Sequence, residues 1–315
     1  MIWWNHLNKL TRDNGVDREK EVKMDTKKRG LILEGGAMRG MFTCGVIDVL
    51  MENGIEFDGA IGVSAGAAFG CNYKSRQIGR PIRYNKRFCN DKRYVGLRSL
   101  LTTGNLYNVA FGYGEVPEKL DVFDHETFRE NPMAFHVVCT DADSGKPVYH
   151  KCVNGDRLDI KWIRASASMP MVSRVVEIED YKLLDGGISD AVPIRYFEQI
   201  GYDHNVVVLT QPMGYVKEKM KFLPLVKMAL LKYGRTFKAM QVRHLMYNET
   251  IDYIRKKESL GDLFVICPSE TLDIGKVEKN PEELERVYQL GRAEALKQLT
   301  ELKAYMAENR MVEVG

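Results

Sequence analysis

The chain has 315 residues, enough for one large α/β domain or two small ones. Its 44% hydrophobic and 28% charged content excludes a disordered or membrane-embedded class, and a formal net charge of +3 gives no reason to expect nucleic acid as a partner. The six cysteines (Cys44, Cys71, Cys89, Cys139, Cys152, Cys267) form no C-x-x-C and stand at no zinc spacing with a histidine. They read as buried free thiols in a reducing compartment.

Residues 1–28 are polar and charged and read as a poorly ordered leader. The leader has no apolar stretch of the signal-peptide kind, and no run approaches the length of a membrane span, so a cytoplasmic location is expected. Trp3 and Trp4 either pack on the domain surface or anchor at a lipid interface.

A short buried strand begins at Gly30 and ends at the glycine pair Gly35-Gly36. Phe42, Val46, Val49 and Leu50 then recur at helical spacing, and Asn53-Gly54 closes that helix. Phe57 to Val63 reads as a second strand and the small residues after Ser64 as a second helix. This alternation predicts parallel βαβ units. Further strands are expected over 134–140 and 147–152, a helix over 158–167, and a hairpin from 175–178 and 181–184 through Glu179-Asp180. A last central strand follows over 205–210 and a late edge strand over 263–267. Asn280-Pro281-Glu282-Glu283 starts a long helix, with an Asn cap, Pro at the first position and acids in the first turn.

Three motifs carry chemistry. Gly62-Val63-Ser64-Ala65-Gly66 is a G-x-S-x-G pentapeptide between a strand and a helix, the setting in which a serine stands exposed on a sharp turn as a nucleophile. Upstream, Gly35-Gly36-Ala37-Met38-Arg39-Gly40 also lies between a strand and a helix. Its small residues and outward N–H groups suit an oxyanion, and Arg39 adds a cation for the loop or a substrate phosphate. The same turn also admits a dinucleotide reading or a purely structural one, and the first of these is disfavoured by Ala37, Met38 and Arg39. Downstream, Asp185-Gly186-Gly187 ends an apolar strand and reads either as a common turn or as a carboxylate reaching into a cleft. None of the six histidines (His6, His125, His136, His150, His204, His244) stands in a distinctive motif. A carboxylate acting directly on serine is the better reading of the base.

In this order and spacing the three motifs resemble the patatin-like phospholipase family, and so do Ala165 to Pro170 and Tyr181 to Pro193. The resemblance covers about residues 29–212. It implies a three-layer α/β/α fold with a mostly parallel central sheet, and a Ser-Asp dyad without histidine. Carried over, Ser64 is the nucleophile and Asp185 the base; Gly35, Gly36, Ala37 and Gly40 form the oxyanion turn, with the N–H groups of Gly36 and Ala37 as donors. The family usually carries glycine where Ala37 stands, and alanine does not easily adopt positive φ. No metal or cofactor is implied. The domains expected are the leader 1–28, the catalytic α/β domain 29–212 and a mainly helical C-terminal region, 213–315, packing on or covering the core.

The activity so implied is hydrolysis of carboxylic esters of lipids, of the phospholipase A or lysophospholipase kind. The alternatives are a lipid-binding or regulatory protein with little turnover and an acyltransferase. Two basic runs, Lys74 to Arg98 and Lys217 to Arg243, are either solvated faces or surfaces that attract anionic lipid. Phe222, Leu223, Leu225, Val226, Met228, Leu230 and Leu231 interleave with the second run, as in a lid or interfacial helix.

Overall fold

The computed structural model describes residues 27–308 except Phe222. Most of the expected leader, including Trp3, Trp4 and His6, lies outside the described residues, as does the Phe222 assigned to the interfacial run.

Apolar, β-branched runs form β1 (Lys28–Leu33), β2 (Gly59–Val63), β3 (Ala134–Asp141), β4 (Pro147–Cys152), β5 (Val176–Ile178), β6 (Tyr181–Asp185), β7 (Tyr202–Val208) and β8 (Leu263–Ile266). One sheet holds them in the order β5-β6-β3-β2-β1-β7-β8, with β4 also paired to β3. From β3 through β2, β1 and β7 to β8 every neighbour is parallel; β4, β5 and β6 add antiparallel pairs at the other end.

The helices are α1 (Gly40–Glu52), α2 (Ala65–Lys74), α3 (Arg80–Phe88), α4 (Leu97–Thr103), α5 (His125–Glu130), α6 (Arg157–Ser166), α7 (Ile194–Gln199), α8 (Leu223–Ala229), α9 (Gly234–Ser259), α10 (Pro281–Lys297) and α11 (Leu299–Ala307). Alternate strand residues face opposite ways, so the sheet has two apolar faces. Leu31, Leu33, Ala60, Phe135 and Val206 pack with α1, α2, α6 and α10; Ile32, Ile61, Val138 and Val207 pack with α7 and α9. This is the expected three-layer arrangement.

Two expectations change. The spacing in α1 predicts one apolar face, yet every residue from Gly40 to Leu50 is buried. The reason is α10, which lies on the outer side of α1 so closely that a Cβ on Gly45 would sit 2.1 Å from the Tyr288 carbonyl oxygen and one on Gly291 2.0 Å from that of Phe42. The first basic run is in part structural. Lys74, 4% exposed, donates to the Asn131 and Met133 carbonyls, and Arg80 and Arg83 converge on the buried Asp121.

Chain order places the site. β2 and β3 lie to one side of β1, and β7 and β8 to the other, so the direction of winding switches at β1. Ligands bind at such a switch, outside the carboxyl ends of the strands. The turn after β1, Ser64 after β2 and Thr210 after β7 all stand there.

Candidate active site

Ser64 joins β2 to α2 with φ 54° and ψ −118°, a strained conformation for a residue with a side chain, costing on the order of 1–3 kcal/mol. The flanking glycines make the elbow sterically feasible. A Cβ on Gly62 would lie 2.4 Å from the Gly66 carbonyl oxygen, and one on Gly66 2.3 Å from that of Leu33. The Ser64 N–H donates to Ser166 Oγ at 2.9 Å, and the Ser166 hydroxyl donates to the Val138 carbonyl at 2.6 Å. Ser166, at the end of α6, thus fixes the elbow to β3. Its sequence carries no sign of this role beyond its place in the Ala165–Pro170 segment.

Asp185 reaches Ser64 because of how the strands share an edge. β3 pairs with β2 up to Val63↔Val138, and from Cys139 onward it pairs with β6, Cys139 facing Asp185. With β4 on the other edge, β6 takes up the β2 side just where β2 ends, so the last residue of β6 comes beside the first residue after β2. Asp185 is 3% exposed, its Oδ1 accepts the Gly187 N–H at 2.8 Å, and it lines the same cavity as Ser64. Burial raises its pKa from the usual carboxylate range; the neighbouring Ser64 side chain and the nearby Arg243 guanidinium partly oppose this.

The Gly35–Gly40 turn lies on the other side of Ser64. A Cβ on Gly35 would stand 2.9 Å from Ser64 Cβ, and one on Gly40 2.9 Å from that of Ala65. Among the described residues, the Gly36 and Ala37 N–H groups donate to no acceptor. Ala37 does adopt positive φ, 51°, in the place where the family pattern favours glycine. A clamp that the motifs did not reveal holds the turn. Glu34, 2% exposed, accepts from the Thr210 N–H at 2.6 Å and the Tyr247 hydroxyl at 2.9 Å, while the Thr210 hydroxyl reaches the Gly35 carbonyl at 3.0 Å.

Ser64, Asp185, Gly35, Gly36, Ala37 and Arg39 line one cavity of about 450 Å³. One part of its wall is apolar, with Phe69, Tyr107 and Val116 among the residues there; the π-helical segment Phe111–Leu120 supplies Tyr113 and Pro117. Another part is basic, with Arg39, Lys217, Arg243 and Lys276. Gly62, Gly66 and Gly186 shape the backbone behind the site without lining it.

Among the described residues no histidine lines this cavity. His136 is buried among Tyr196, Phe197 and Tyr202, which holds its pKa down to about 4. His204 bonds the Tyr305 carbonyl, and His125 that of Gly155. His150, Cys152 and Asp159 place one ligand atom each within 4.8 Å of one another. Asp159 Oδ2 already accepts the N–H groups of Val153, Asn154 and Gly155, which caps a turn and leaves little for a cation.

Several known proteins are similar to this chain in sequence. It is 28% identical over 284 residues to the uncharacterized protein YjjU of Escherichia coli, covering 83% of this chain and 74% of that one. It is 25% identical over 294 residues to lysophospholipase nte1 of Aspergillus oryzae, covering 87% of this chain but only 18% of that protein. Among solved structures, VipD from Legionella pneumophila is matched with a TM-score of 0.44 at 13% identity, over 87% of this chain and 67% of that one. Residues 233–307 match a family described as a domain of unknown function, DUF6363. Residues 31–198, more than half of the chain, match the patatin-like phospholipase family model, and the chain belongs to that family.

Proposed function

We propose that this protein hydrolyses carboxylic esters of lipids, in the manner of a phospholipase A or lysophospholipase, through Ser64 and Asp185. The observation that carries the reading is the buried Asp185 carboxylate at the end of β6, set beside the strained elbow of Ser64 and lining the same cavity. Asp185 takes the hydroxyl proton as Ser64 Oγ attacks the ester carbonyl carbon. The tetrahedral oxyanion is held by the Gly36 and Ala37 N–H groups; one such donor contributes about 3–4 kcal/mol. The proton passes to the departing alcohol and leaves an acyl-enzyme. Asp185 then takes a proton from water as it attacks, and Ser64 recovers that proton as the fatty acid leaves. The apolar part of the cavity suits the acyl chain.

α8 supports lipid contact from outside. Val226 and Leu230 are buried beneath it, whereas Leu225, Met228 and Leu231 are 47%, 64% and 74% exposed beside the exposed Lys221, Lys227 and Lys232. An apolar stripe flanked by lysines fits the surface of an anionic bilayer. Flotation with anionic vesicles, but not with neutral ones, is expected; equal recovery with both would count against it. No described helix is long and apolar enough to cross a membrane.

A fluorophosphonate probe tests the dyad. Wild type is expected to label and Ser64→Ala not to. Asp185→Asn is expected to label far more slowly; full labelling and ester turnover in Asp185→Asn would remove Asp185 from the mechanism.

A further inference from the structure

Arg39, Lys217, Arg243 and Lys276 meet in the cavity from four separate places: the turn after β1, the loop after β7, α9, and the segment before α10. All but Arg39 lie outside the residues matched to the patatin family model. Among the described residues none of the four has an ion-pair partner. The Arg39 Nε is buried without an acceptor, and the Oε1 of Gln211, which is 6% exposed and lines the same wall, is buried without a donor. Arg243 spends its Nε–H on the Gly187 carbonyl, and its terminal nitrogens donate to no described acceptor. Lys217 is held by its backbone, which exchanges hydrogen bonds of 2.8 and 3.1 Å with the Asn248 side chain on α9.

Two carboxylates face this cluster, and both are engaged. Glu34 is taken by Thr210 and Tyr247, and Asp185 by Gly187. Asp185 and Glu34 attract Arg243 more strongly than Arg39 repels it, and the repulsion among the cations falls mainly on Lys217. The Lys217 ammonium is pushed down to about 8 by burial, then by Arg243, and also by Arg39 and Lys276, with Glu34 alone opposing. Such a constellation costs energy when empty and gains when an anion enters. Two guanidinium groups and an ammonium, with an amide beside them, match the several acceptor oxygens of a phosphate.

We propose that Lys217, Arg243 and Arg39, with Lys276 at the rim, form a phosphate-binding subsite beside Ser64 and select acyl lipids whose head is a phosphomonoester. The assignment of the substrate rests on the ester-hydrolase reading above; the anion subsite does not. A choline or ethanolamine head would need a carboxylate or an open aromatic face for its ammonium. Glu34 is engaged, and Lys217 itself covers the ring of Tyr247 at 4.0 Å and lies 5.8 Å from that of Tyr215.

Calorimetry on the full chain tests this with ligands that cannot be hydrolysed: octyl phosphate, octylphosphocholine, octyl glucoside and inorganic phosphate, each below its micellar concentration. Octyl phosphate is expected to bind at least about tenfold more tightly than octylphosphocholine. That preference is expected to fall several-fold in Lys217→Gln and less in the exposed Lys276→Gln, which carries the test if Lys217→Gln does not fold. Equal affinity for the two octyl ligands, or an undiminished preference in the folded variants, would overturn the proposal. Inorganic phosphate binding as tightly as octyl phosphate would assign the subsite to a soluble phosphate and overturn its lipid part. Absence of ester turnover with the preference intact would sink the hydrolase reading and leave the subsite standing.

Discussion

Asp185 sets a buried carboxylate beside Ser64, and its energetics follow from burial. Its folded pKa is raised, chiefly by desolvation. A group of this kind contributes its full stability below the unfolded carboxylate range, and loses it as pH rises through the folded pKa. Near neutral pH the ionised form is therefore the costly one, and it is the form the proposed mechanism needs. Asp185→Asn is expected to melt above wild type at pH 7 while its kcat falls by about 10²–10⁴-fold; a lower melting temperature would contradict this account of the site. The acidic limb of the wild-type rate profile is expected above the ordinary Asp value of about 3.9. Ser64 and Asp185 were legible as residues because glycines bracket Ser64 and a glycine pair follows Asp185. Ser166, Glu34 and Arg243 were not, because a single hydroxyl, carboxylate or guanidinium in a strand end or helix carries no local pattern that names its distant partner.

At the level of elements, the turn after β1 depends on its neighbours β7 and α9. Thr210 and Tyr247 come from these two and meet on Glu34. Tyr247→Phe keeps the ring but strips one donor from a buried carboxylate, a loss of about 1–3 kcal/mol. Urea denaturation is expected to show a lower midpoint with an unchanged slope, and a loss below about 0.5 kcal/mol would mean that Tyr247 does not hold the turn. The sequence shows the strands and the capped start of α10 well, since period and capping chemistry are local. The Asn280 side chain does accept the Glu282 N–H, at 2.9 Å. The burial of α1 on all sides was not legible, because it is imposed by a helix some 240 residues later whose arrival no local spacing records.

For the molecule between 27 and 308, the C-terminal elements are part of the core. β8 extends the sheet beside β7, and α10 covers α1. Gly291→Ala places a methyl against the α1 backbone, and overpacking of this kind costs about 1–3 kcal/mol or more. A melting temperature equal to wild type would mean that α10 packs less intimately on α1. The same region brings Lys217, Arg243 and Lys276 to the cavity, so residues of the 233–307 segment line it together with Ser64 and Asp185. The central claim, that Ser64 carries the acyl group, is tested most directly by peptide mass analysis of enzyme quenched during turnover of a lysophospholipid. The account predicts one acyl addition, on the peptide containing Ser64, and none in Ser64→Ala. Acyl transfer to another residue, or ester hydrolysis that persists in Ser64→Ala, would contradict it.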